Sequence, residues 1–82
     1  MNMREAMRAT LDLARERGYG DISFEEEGTD MSHLDSMYRR MENEDFSEGK
    51  LGRWLGYAQG VLVAHQCCTL EEMKELNKAF AG

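Results

Sequence analysis

The sequence predicts an all-α fold: a small bundle of three to four helices that forms a homodimer through a glycine-rich central helix. Three observations carry this. There is no proline among the 82 residues. Apolar residues recur at steps of three and four in successive stretches. The segment from Ser47 to Gln66 reads as one long helix with two unlike faces. Leu51, Leu55, Ala58, Leu62 and His65 mark one face, flanked by Trp54 and Val61. Gly52, Gly56, Gly60 and Ala64 fall on roughly the opposite side. A glycine inside a helix costs about 0.8–1 kcal/mol relative to alanine. That cost is offset where the missing side chains let another backbone come close, so the helix is expected to be contacted on both sides. Packing of the glycine face on the first or last helix of the same chain, and a symmetric contact between two copies, both remain open.

Taken in order, a first helix covers about residues 3–17. Asn2 caps it, with Glu5 as the reciprocal partner of a capping box. Met3, Met7, Thr10 or Leu11, and Ala14 form its apolar stripe, and Gly18 stops it. Residues 18–29 read as an irregular linker: Gly20-Asp21 is a turn signal, and Ile22-Ser23-Phe24 alternates like a strand but has no partner strand. A second helix spans about 31–44. Asp30 or Ser32 caps it, Asp35 lies early in it, and Met31, Leu34, Met37 or Tyr38, and Met41 face inward. Ser47 caps the third helix, about 48–66, and Phe46 is spaced to pack on Leu51 as a hydrophobic staple. Thr69 and Glu72 form a capping box for a fourth helix, about 70–80. Its buried stripe is Leu70, Met73, Leu76 or Asn77, and Phe80, and Lys74 and Lys78 sit where cations favour the helix dipole.

Hydrophobic residues make up 41% of the chain, a globular composition in a single domain of marginal size. The formal net charge of −6 argues against direct nucleic-acid binding. It suits a protein that docks on a basic partner. No apolar run approaches the ~20 residues that span a membrane, and no signal-peptide core is present, so a cytosolic location is expected. The adjacent Cys67 and Cys68 read as small apolar residues in a turn, reduced in the cytosol, with an intermolecular cross-link open to one of them on oxidation.

The sequence offers no catalytic constellation, no metal set and no cofactor motif, and the chain is expected not to be an enzyme. Its candidate contacts are of three kinds. Gly52, Gly56, Gly60 and Ala64, with Trp54 and Gln59, are candidates for the helix-packing or dimer contact, Gln59 by a hydrogen bond across an interface. Lys50, Arg53 and Tyr57 border the glycine face and are candidates for an anion or a partner. A salt bridge from Arg53 to a glutamate of the second helix is the preferred structural reading. Glu25, Glu26, Glu27, Glu42, Glu44 and Asp45 are candidate acidic docking charges. His33 and His65 belong to no ligand set, and His65 reads as a packed or capping histidine. Glu42-Asn43-Glu44-Asp45 matches half of the magnesium pattern of all-α nucleotide pyrophosphohydrolases. The other half, Glu71-Glu72-Met73-Lys74-Glu75, follows it in the wrong order.

The segment Glu48-Gly49-Lys50-Leu51-Gly52-Arg53-Trp54-Leu55-Gly56-Tyr57-Ala58-Gln59-Gly60, followed by Thr69-Leu70-Glu71-Glu72-Met73-Lys74, resembles small accessory proteins of tailed bacteriophages and prophages. The resemblance covers residues 47–80 and implies a setting rather than catalytic residues: a protein that binds a host macromolecule, often one in defence or nucleic-acid metabolism. Two alternatives stand beside it. One is an oligomeric sponge for a small nucleotide signal, built on Arg53, Tyr57 and Lys50. The other is a helix-turn-helix regulator with its turn at 66–68, whose reading helix begins unfavourably with Glu71 and Glu72.

Overall fold

The computed structural model describes residues 1–24 and 27–81. They form four helices, α1 (Met3–Glu16), α2 (Met31–Asn43), α3 (Glu48–Ala64) and α4 (Leu70–Ala79), with a 3-10 turn at Tyr19–Asp21. No strand occurs among the described residues, and no helix there is long and apolar enough to cross a membrane. Each helix begins where a short polar side chain takes an orphan N–H. Asn2 accepts from the Glu5 N–H, Asp30 from His33, Ser47 from Lys50 and Thr69 from Glu72. The Glu72 carboxylate returns the favour at Thr69 N–H, 2.9 Å away, completing a capping box. The Glu5 carboxylate instead pairs with Arg8 at 2.7 Å.

The organising helix is α1, not α3. It touches each of the other three, and α3 most extensively. Its inward face is Ala6, Met7, Thr10, Leu11 and Ala14, all buried. Two alanines in that stripe let neighbouring helices approach closely, while Met7 and Leu11 fill the space between them. From α3 come Leu51, Leu55, Ala58, Val61 and Leu62; from α2, Met31, Leu34, Met37 and Met41. Methionine is prominent in this core, and its unbranched thioether fits the irregular gaps of a small bundle.

One core contact is polar. Gln59, 8% exposed, donates to Thr10 Oγ1 at 3.1 Å and exchanges two hydrogen bonds with the side-chain amide of Asn77, at 2.8 and 3.0 Å. The expected interface hydrogen bond of Gln59 is thus made within the chain, because the third helix presents this residue to α1 and α4. Asn77 consequently takes the inward position on α4, and Met73 is the only fully buried residue of that helix. Leu70, expected in the buried stripe, is 59% exposed.

The helices stop at residues 16, 43, 64 and 79, one or two short of the expected ends. The α3 end shows why. Gln66 adopts φ +62°, the Gln66 N–H bonds the Val63 carbonyl, and the Cys67 N–H reaches back to Leu62. This is a Schellman stop with glutamine in the left-handed position that glycine usually fills. Arg17 closes the corner by donating to the Cys67 carbonyl at 3.0 Å and pairing with Glu72. Cys68 is buried, its thiol pushed up to about 11 by burial and then by Cys67; Cys67 is half-buried.

The linker is more anchored than its sequence suggests. Gly18 takes φ +82°, which turns the chain so that Tyr19, 1% exposed, enters the core. The Tyr19 hydroxyl donates to the Thr29 carbonyl at 2.5 Å. The Phe24 ring lies 4.1 Å from that of His65, the C-cap residue of α3, which confirms His65 as a packed, capping residue.

Two outcomes follow. Gln66→Gly relieves the left-handed strain and raises unfolding stability by about 0.5–1 kcal/mol in urea titrations. The pairing with Arg17, then the Thr69 cap, lowers the Glu72 pKa from its ordinary 4.5 to about 2. Its stabilising effect is therefore complete above pH 4.5 and is lost as pH falls toward 2. Glu72→Gln flattens that part of the acid-unfolding curve followed by circular dichroism.

Candidate functional site

Two surfaces of α3 remain after the core is assembled. The first is the glycine face. A Cβ built on Gly52 meets Met3 Sδ at 3.4 Å, so this position is covered by α1. Cβ atoms on Gly56 and Gly60 meet nothing within 4 Å. These two glycines and Ala64 are exposed. The in-chain packing considered for this face thus stops at Gly52. The reason is the angle at the Schellman corner: α4 leaves the end of α3 toward α1 and touches α3 through Asn77 and Gln59. A groove of about 360 Å³ is left between α3 and α4, floored by Gly56, Gly60 and Ala64 and walled by Val63, Leu70 and Met73. Lys74 stands at its edge.

The second surface runs between α2 and α3. Here α3 presents Lys50, Trp54 and Tyr57, spaced i, i+4, i+7, and α2 presents His33, Met37 and Arg40 at the same spacing. Trp54 is half-buried. Phe46, fixed just before the Ser47 cap, packs its ring against the indole at 4.7 Å in a near-perpendicular arrangement. The Arg40 guanidinium lies 4.9 Å from the indole centroid and Lys50 Nζ 5.3 Å from it; Lys50 is also 4.0 Å from the Phe46 ring. Farther along, the Tyr57 hydroxyl donates to the Gly28 carbonyl at 2.8 Å, and its ring stands edge-on to His33. Beside these rings lies an open hollow of about 290 Å³ lined by His33, Ser36, Met37, Arg40, Trp54 and Tyr57. It continues into a broader, polar depression bounded by Gly28, Asp30, Ser32 and Glu27.

The structure therefore separates residues that the sequence groups together. Trp54, a candidate for the dimer contact with the glycines, belongs to the α2–α3 cleft, as do Lys50 and Tyr57. Arg53 forms no ion pair with a glutamate of α2 among the described residues. The arginine of that region that is paired is Arg40, to Glu44 at 2.8 Å, and this pairing holds the Glu44 carboxyl below its usual range. Of the acidic candidates, Glu27, Glu42, Glu44 and Asp45 are exposed; Glu25 and Glu26 lie outside the described residues. Glu42 accepts from Tyr38, whose hydroxyl is raised by burial and by that bond. Sequence reasoning did not single out Arg40, His33 or Phe46 for this site. The shared seven-residue spacing on both helices is the signal that finds Arg40 and His33; Phe46 is marked only by its place before the Ser47 cap.

No protein-family model, curated protein or solved structure matches the chain.

Gly28 closes one end of the cleft, its carbonyl accepting from the Tyr57 hydroxyl. It has φ +80°, and a Cβ there stands 3.2 Å from the Tyr57 hydroxyl and 3.5 Å from His33 Nε2. Gly18 has a similar φ of +82° with only Asp21 Oδ2 near, at 4.0 Å. Both alanine variants carry about 1–2 kcal/mol of left-handed strain. Gly28→Ala loses more than Gly18→Ala in chemical denaturation, the difference measuring the contact with Tyr57 and His33.

Proposed function

We propose that this chain is a non-enzymatic binding protein: a homodimer joined through the α3–α4 groove that presents an acidic surface to a basic macromolecular partner. The observation that carries this reading is the open floor of the groove. Gly56 and Gly60 each weaken α3 by about 0.8–1 kcal/mol relative to alanine, and no part of the described chain takes advantage of the space they leave. A second helix laid across them gains close backbone contact and covers the exposed Leu70 and the half-buried Val63. A second copy of α3 is the occupant that needs no further component, since a twofold contact uses the same patch twice. The exposed carboxylates of Glu42 and Asp45, with Glu27, then form the docking charges. The phage-like segment, residues 47–80, supports a setting in the cytosol of an infected or lysogenic bacterium, with a host protein as the partner. A helix-turn-helix regulator is a poorer fit, because the exposed Glu71 at the start of α4 meets incoming phosphates with negative charge, while Arg17, the nearby cation, is taken up by Glu72.

Native mass spectrometry and sedimentation of wild type, Gly56→Ala and Gly56→Leu test the dimer. The expected result is a wild-type dimer, and a Gly56→Leu monomer of unchanged helicity. A wild-type monomer at high micromolar concentration, with Gly56→Ala gaining about 1 kcal/mol of stability, sinks the proposal. That pattern describes a glycine face that nothing covers. Partner capture through the acidic surface weakens as salt rises, and capture that ignores salt excludes this mode of docking.

A further inference from the structure

We infer that the α2–α3 cleft binds a mononucleotide, its base in the hollow beside Trp54 and its phosphates on Lys50 and Arg53. The first support is a charge anomaly. The chain has 16 acidic and 10 basic side chains, and Arg8, Arg15, Arg17, Arg40, Lys74 and Lys78 all hold carboxylates. In spite of that excess of acid, the Lys50 ammonium and the Arg53 guanidinium, like Arg39, form no ion pair or side-chain hydrogen bond among the described residues, and Lys50 acts on a carboxylate, Glu44, only at a distance through its charge. They lie one turn apart on α3, both on the same side of Trp54, with Lys50 the nearer to its ring. Two cations outside any ion pair, Lys50 against the Trp54 ring that lines the hollow and Arg53 next to Trp54 in the chain, make a site for an anion that carries a ring.

The second support is the shape of the hollow. Its volume of about 290 Å³ is small, and Met37, Trp54 and Tyr57 supply flat or flexible apolar walls, the surroundings in which a base stacks. The third is polarity along the cleft. Arg40 and Lys50 flank the Trp54 end, while Asp30 and Glu27 bound the other. A ligand lying along it is therefore oriented, with phosphates at Lys50 and hydrogen-bond donors, such as an exocyclic amine or sugar hydroxyls, toward Asp30, Ser32 and Glu27. An acidic peptide suits the cations equally well but carries negative charge onward into Asp30 and Glu27. A nucleic-acid polymer meets the net charge of −6. A single nucleotide avoids both conflicts.

Trp54 is the only tryptophan, so its indole N–H gives one resonance that reports this cleft alone. The full chain is titrated with AMP, ADP and ATP, with adenosine and inorganic phosphate separately, and with a short single-stranded oligonucleotide. The expected result is a saturable shift of the indole signal with a nucleotide, and affinities at least roughly tenfold weaker for adenosine or phosphate alone. Lys50→Gln and Arg53→Gln, both surface changes, each weaken binding roughly tenfold with unchanged circular dichroism. Lys74→Gln, in the other groove, leaves it untouched. The inference is overturned by no saturable shift with any nucleotide, by phosphate alone binding as well as ATP, or by an oligonucleotide binding more tightly than every mononucleotide. The readout is independent of assembly, so a monomer that binds nucleotide retains this site and loses only the dimer.

Discussion

The hydrogen bonds of Gln59 fix the relation of three helices at once. A primary amide buried among apolar side chains costs roughly 1–3 kcal/mol if left unpaired, so α1 and α4 must place Thr10 and Asn77 where the amide reaches them. Thr10 in turn returns its own hydroxyl to the Ala6 carbonyl at 2.7 Å, which leaves its oxygen free to accept from Gln59. Apolar packing alone would let a ten-residue helix with one fully buried side chain rotate or slide. The reciprocal amide pair allows one rotation of α4, and that rotation turns Leu70 outward. The open groove is thus a consequence of the polar contact beneath it.

The two faces of α3 follow from the same arrangement. With α1 covering Leu51, Leu55, Ala58 and Leu62, α2 can reach only the flank carrying Trp54 and Tyr57, and α4 only the flank carrying Gln59. What remains is a bare glycine strip on one side and a cationic, aromatic cleft on the other. They are chemically unlike: the strip offers backbone and aliphatic surface, the cleft offers rings and positive charge. Such a division means that the proposed dimer contact and the proposed ligand cleft would use different sides of one helix without competing for residues.

Helix starts were legible in the sequence because each is marked by a side chain that does the capping itself: Asn2, Asp30, Ser47 and Thr69. Helix ends were less so. The stop after α3 depends on Gln66 accepting a conformation that its side chain disfavours, and nothing in its identity announces this. Tyr19 was missed for a similar reason. It is an isolated aromatic in a polar linker, without periodicity, and only the turn at Gly18 brings it inward. For the candidate site, periodicity within α3 correctly marked Gly52, Gly56 and Gly60 as special, but it cannot say which flank a neighbouring helix covers. Trp54 was therefore grouped with the glycines, Gln59 with an interface, and Arg53 with a glutamate. Those assignments depend on the rotation of α4 and on the position of Arg40, both of which are tertiary facts.

The backbone N–H of Asn2 donates to the carbonyl of Phe80 at 2.9 Å, and this contact has a topological meaning. The bundle is almost a closed ring: the path that leaves through α1 returns through α4 to the same point. Any segment fused before Asn2 and any fused after Phe80 emerges side by side, and a few added residues suffice to join the two. Circularising the chain in this way confines the lightly anchored α4 from both ends and narrows the unfolded ensemble, while leaving every helix and both faces of α3 as they are.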